Sequence, residues 1–246
     1  MQQGERSESG APIYRYEERE VPFEVASGYE QTIDRVSAHV EQHIGAVASV
    51  YHEIISDLVH LDVHIVAPTA ERNFYTLVTS GMSDLPMKAP EGYEDLAYSE
   101  LMICLPADWK LGEDDLKDEG NYWPIRLLKQ LARFPHEYQT WLWAMHTVPN
   151  GDPAEAYAPN TEFNGVMLMP PILASEAFYE MELSSEKVVH FHALIPMYSD
   201  EMEQKLKMGA ESLFDGFDKV GVSELLDVSR PSVVKRKKGL FGFFRR

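Results

Sequence analysis

A run in the first third of the chain alternates strictly in polarity: Val59, Leu61, Val63 and Ile65 fall on one side, His60, Asp62 and His64 on the other. A period of two belongs to an extended strand, because successive side chains there point to opposite faces. Strand-like runs flank it at 46–55 and 73–79, joined to it through Ser56-Asp57 and through a short loop at 68–72. Connections this short favour antiparallel neighbours, so these residues commit the chain to a sheet.

The remaining patterning adds helices around that sheet. Ile33, Val36, Val40 and Ile44 recur at three and four residues, which predicts a helix over 28–44 with one apolar face. A strand over 97–105 stops at Pro106. After Asp118 to Gly120 a helix is expected, with Pro124 in its first turn, where a missing amide is tolerated. Strands are predicted over 141–148, 163–169 and 188–195, and 173–181 reads as a short strand or an irregular segment. A closing helix follows Ser199-Asp200, with Glu201 and Glu203 in its first turn, and runs to about Phe217. The expectation is α+β: one domain with a mixed, mainly antiparallel central sheet flanked by helices. Its expected limits are a flexible arm over 1–27, the domain over 28–217, and a linker with a basic aromatic tail over 218–246.

Charge narrows the partners. The chain holds 40 acidic and 22 basic residues, and seven of the basic ones lie after Ser229, where no acid occurs. A body that acidic repels phosphate backbones and membrane surfaces and is steered toward basic partners, so no direct nucleic acid binding is expected. Ordinary solubility accounts for the same surplus. The single cysteine, Cys104, sits in an apolar run and reads as a small buried hydrophobe. The first ten residues carry no apolar signal, and no stretch approaches the ~20 apolar residues of a membrane span, so a cytoplasmic protein is expected. The tail over 235–246 mixes Lys235, Arg236, Lys237 and Lys238 with Leu240, Phe241, Phe243 and Phe244, which allows weak membrane contact.

Few residues invite chemistry. His60, Asp62 and His64 share one strand face, and His190 with His192 repeats that spacing; two such strands side by side would offer imidazoles and a carboxylate to a metal. The favoured reading is the wet face of a half-buried sheet, where polar residues alternate with apolar ones. No nucleophile elbow, phosphate-binding glycine loop or dinucleotide fingerprint is present, so no catalytic residue and no cofactor is assigned. A binding surface is read instead from Thr79, Ser80, Gly81, Met82, Ser83 and Asp84, with Tyr75 on the preceding strand. Small residues there admit a partner's backbone and methionine supplies an adaptable contact; a plain strand-ending turn explains the same letters. Trp141, Trp143 and His146 add aromatic density, suited to core packing or to a hot spot.

Read in order, several strings resemble the suppressor of fused family. They are Val50-Tyr-His-Glu-Ile, Val59-His-Leu-Asp-Val, Pro68-Thr-x-Glu-Arg, Tyr75-Thr-Leu-Val-Thr-Ser-Gly-Met-Ser-Asp, Glu100-Leu-Met-Ile-x-Leu-Pro-Ala-Asp-Trp-Lys, Trp123-Pro-Ile-Arg-Leu-Leu-Lys, Ala132-Arg-Phe-Pro-His-Glu-Tyr and His146-Thr-x-Pro-Asn-Gly. They span roughly Tyr29 to Ile195 and look like the compact bacterial form. The resemblance implies a non-enzymatic binding protein, either an immunity protein that neutralises a basic toxin domain or a module that grips an extended peptide by strand addition. Tyr75, Thr79 to Asp84 and His146 are the partner-binding residues this suggests. Two alternatives remain: a metal-dependent hydrolase built on His60, Asp62, His64, His190 and His192, and a regulatory scaffold attached through its tail.

Overall fold

A computed structural model describes residues 5–16, 19, 21–26, 30–53 and 56–234. The tail over 235–246, with the membrane contact read from it, lies outside the described residues, as do parts of the expected arm, the expected helix start at Gly28 and the end of the first strand run at Ile54 and Ile55.

In chain order the elements are β1 (Glu5–Arg6), β2 (Pro12–Ile13), α1 (Glu30–His43), β3 (Val47–His52), β4 (Asp62–Val66), β5 (Phe74–Ser80), β6 (Ser99–Pro106), α2 (Glu119–Glu137), β7 (Thr147–Pro149), β8 (Gly165–Met169), β9 (Glu180–Ser184), β10 (Lys187–Met197), α3 (Ser199–Met208) and α4 (Glu211–Val220). β1 and β2 form a small ladder of their own. The other strands form one mixed sheet in the order β3-β4-β5-β6-β10-β8-β7, with β9 also paired to β10. Its neighbours are antiparallel except β6 and β10, whose parallel register sets His190 beside Ser99 and His192 beside Leu101.

Helices cover both faces. Val36 and Val40 of α1 meet Val66, Val78, Met102, Val189 and Phe191 on one side. On the other, Trp123, Leu127, Leu128 and Leu131 of α2 meet Val63, Ile65, Leu77, Leu101, Ile103 and Leu194. Strand alternation produces this division: odd positions of β4 and β6 face α2, even positions face α1.

Three segments differ from the sequence expectation. α2 starts at Glu119, so Pro124 lies beyond the first turn; its ring cannot donate to the carbonyl of Gly120, and Asn160 Nδ2 donates to that oxygen instead, at 2.9 Å. The strand expected over 141–148 shrinks to β7, because Gln139 and Met145 adopt φ of 48° and 66° and break the extended chain. The closing helix is two helices, parted at Gly209, whose φ of 90° a residue with a Cβ takes only under strain.

Described residues on both sides of the expected domain bond to it. Ser9 N–H donates to the carbonyl of Leu206, and the Tyr16 hydroxyl bonds Thr140 Oγ1 at 2.5 Å. After α4, where a linker was expected, residues 224–226 take the edge of β6 that β10 vacates: Cys104 N–H donates to Glu224 O and Leu226 N–H to Cys104 O, both at 2.8 Å. Further on, the buried Arg230 forks onto Glu201 at 2.6 and 2.7 Å. No helix among the described residues is long and apolar enough to cross a membrane.

Candidate functional site

The string from Thr79 to Asp84 carries β5 into a tight turn closed around one carboxylate. Glu100, near the start of β6, is wholly buried. Its Oε1 accepts the N–H groups of Gly81 and Ser83, each at 3.0 Å, and the Ser83 hydroxyl at 2.7 Å. Its Oε2 accepts the Thr79 hydroxyl at 2.6 Å, and Thr79 Oγ1 in turn accepts Leu101 N–H at 2.9 Å. Gly81 is required here: φ is 108°, and a Cβ would lie 1.8 Å from the carbonyl oxygen of His60. Burial pushes the Glu100 carboxyl above its ordinary value, against the pull of these donors.

This geometry changes the meaning of the candidates. Met82, read from the sequence as an exposed contact, has no exposed surface and fills the core; its carbonyl accepts from His136 Nε2 at 3.0 Å. Thr79, Ser80, Gly81 and Ser83 are buried with it, while Asp84 and Tyr75 are part-exposed. Glu100 itself escaped notice, although a carboxylate opening an otherwise apolar strand was the available signal.

The histidine pairs are kept apart. β4 and β10 are separated by β5 and β6. By register His64 lies opposite Val78, on the face covered by α1, whereas His192 lies opposite Leu101, on the face covered by α2. The wet face expected at Asp62 and His64 is a covered one, since both are buried. The carboxylate of Asp62 meets His52 Nδ1 at 3.0 Å and His60 Nε2 at 3.4 Å, and His64 Nε2 meets Ser80 Oγ at 2.9 Å. Among the described residues no group of three His, Cys, Asp or Glu is placed to hold a metal ion.

His190 and His192 belong instead to an aromatic cluster. The ring of Trp143 meets both edge-on, with centroids 4.9 and 4.7 Å away. Trp141 turns elsewhere, toward His146 at 5.0 Å and Tyr93 at 5.9 Å. The two tryptophans therefore share a loop and not a strand face. Burial holds His146 down to about 4 and His192 down to about 3, so both imidazoles are neutral at pH 7. A separate groove of about 610 Å³ runs between Pro106 to Lys110, the start of α2 and residues 221–228, with Asp108, Lys110, Asn121 and Asp227 on its walls.

A mixed sheet covered by helices on both faces and locked at one end by a buried carboxylate defines an α+β fold. The model of the suppressor of fused protein family, SUFU, matches residues 57–231, and the chain belongs to that family. Solved structures show the same fold. A SUFU homolog from Neisseria gonorrhoeae FA 1090 aligns with a TM-score of 0.62 at 18% identity, over 85% of this chain and 100% of that one. Sufu in a Sufu–Fu complex aligns at 0.57 and 14%, over 85% and 93%. Drosophila Suppressor of Fused aligns at 0.54 and 14%, over 82% of this chain and 51% of its own length, so this chain spans about half of it. No curated protein matches the chain significantly.

Proposed function

We propose that this protein is a non-catalytic binding module of the cytoplasm, of the immunity type, that neutralises a basic toxin domain or grips an extended peptide by strand addition. The observation that carries the reading is its fold, shared with a Sufu that has been seen in complex with Fu. The surplus of 40 acidic over 22 basic residues supports a basic partner, since complementary charge speeds encounter and rejects phosphate-bearing competitors. For strand addition β3 offers one open edge of the sheet: among the described strands it pairs with β4 alone, and it is half-exposed along its length.

The test is affinity capture of the tagged protein from its native cells at low and high salt, followed by mass spectrometry. A stoichiometric basic partner supports the reading. An empty capture at both salt concentrations, together with turnover on a broad substrate panel, overturns it.

A further inference from the structure

Beside the aromatic cluster the surface carries an arrangement that neither core packing nor the Glu100 clasp requires. Loop 85–98 and loop 139–146 are tied together: Lys88 N–H donates to the carbonyl of Thr140, and Tyr93 lies against Trp141. The start of β10 joins them through His190, whose Nε2 lies 3.3 Å from the carbonyl of Asp95 and whose Nδ1 faces Glu180 at 3.5 Å. Tyr93 is 52% exposed and Met145 42%, and the two tryptophans between them are half-buried. Exposed aromatic faces set at the edge of a packed cluster are the usual anchors of a protein interface.

The charge around these rings selects the occupant. Loop 85–98 holds Glu91, Glu94 and Asp95 against the single cation Lys88, all exposed, and Glu180 adds a fourth carboxylate across His190; an opposing charge from outside the loop is Lys205, which donates to Thr147 Oγ1 at 3.0 Å beside His146. Ring faces attract cations through their quadrupole, and carboxylates within a Debye length of about 8 Å add to that attraction. The backbone is also held in an uncommon form here: Gln139 and Met145, at φ of 48° and 66°, bracket the two tryptophans. Non-glycine residues in that region persist where surrounding structure over-determines them, often at binding sites.

We infer that the surface at Tyr93 and Trp141, rimmed by Glu91, Glu94 and Asp95, binds arginine side chains of an extended segment of a protein partner. The inference rests on the protein-binding reading above and adds its surface and its chemistry. Arginine suits the site better than lysine, because a planar guanidinium stacks on an aromatic ring while pairing with a carboxylate at its edge.

The probe is an acetylated, amidated peptide of alternating arginine and serine, titrated into the ¹⁵N-labelled protein while the indole signals of its four tryptophans are followed. Trp141 is expected to shift most, with Trp109 in its separate groove and the buried Trp123 unmoved. The triple variant E91Q/E94Q/D95N should weaken binding about tenfold, and the matched triple E113Q/D114N/D215N, away from the site, less than about twofold. Tyr93→Ala should weaken it with the amide spectrum intact, and a citrulline-for-arginine peptide should not bind. Equal movement of Trp109, or equal weakening by the two triples, overturns the assignment as mere attraction to an acidic body. Affinity capture separates the two readings. A stoichiometric partner held equally well by E91Q/E94Q/D95N leaves the protein-binding function standing and removes this surface. An empty capture at both salt concentrations, together with turnover on a broad substrate panel, overturns the protein-binding function and this surface with it.

Discussion

Ser83 gives both its amide N–H and its hydroxyl to a single oxygen of Glu100, at 3.0 and 2.7 Å, inside a turn from which water is excluded. Together with Gly81 and Thr79 it turns a strand end into a rigid clasp between β5 and β6. Glu100→Ala strands two buried N–H groups and is expected to cost about 3–5 kcal/mol, while Glu100→Gln keeps the acceptor on Oε1 and costs about 1–2 kcal/mol. The pH dependence has a defined sign. A carboxyl raised by burial binds its proton more tightly when folded, so its contribution is full below the ordinary value of 4.5 and is lost as pH rises through the raised one. The gap between wild type and Glu100→Gln should therefore narrow as pH climbs, read by urea denaturation across pH.

Gly81 tests the backbone of the same clasp. With φ at 108° and the His60 carbonyl where a Cβ belongs, Gly81→Ala should lose on the order of 3 kcal/mol or more. Gly10 shares a positive φ, 87°, but has nothing within 4 Å of its missing Cβ, and Gly10→Ala should cost about 1 kcal/mol. Thermal melts of the two variants separate steric exclusion from backbone strain; equal losses would remove the steric account.

His136 lets burial be read through pH. Its folded value is about 4 against an ordinary 6.5, because the imidazole is desolvated beneath the clasp. The unfolded chain binds that proton more readily, so stability is full above 6.5 and falls as pH drops toward 4. His136→Gln retains a donor for the carbonyl of Met82 and should flatten the stability profile near pH 5 by about 1.4 kcal/mol per pH unit. An unchanged slope would mean that His136 is protonated in the folded state.

Arg230 fastens the C-terminal segment. Its fork onto Glu201 is buried, its guanidinium lies 4.9 Å from the ring of Phe163 and 5.0 Å from that of Tyr198, and Glu201 also accepts the Val233 amide at 3.0 Å. Arg230→Ala leaves a buried carboxylate unpaired and should cost about 3–5 kcal/mol. Arg230→Lys recovers only part, having lost the planar fork. Hydrogen exchange should then show residues 224–234 opening before the sheet does.

Much of the architecture was legible because it is local. The alternation at 59–65, the apolar stripe of α1 and the run that became β6 each reflect a period a short window reveals. Some errors were also local in origin: Pro124 fits inside α2 because Asn160, forty residues beyond Gly120, supplies the missing donor to that carbonyl, and Trp141 to His146 has strand-like letters but left-handed backbone at Gln139 and Met145. The site was less legible. The string from Thr79 to Asp84 was found, yet its carboxylate partner sits on another strand and its methionine points inward.

The sequence by itself determined the strand and helix periods and the acidic balance, since each follows from a residue's own chemistry or from near neighbours. Tertiary structure alone decided which faces are covered and which distant residues meet. A period of two puts Asp62 and His64 on one side of a strand without saying whether α1 lies over it, and identical spacing at His190 and His192 says nothing of the strand order that sends them to the opposite face. Pairing between strands far apart in sequence is set by how the whole core closes, a balance of burial and chain entropy that no short stretch contains.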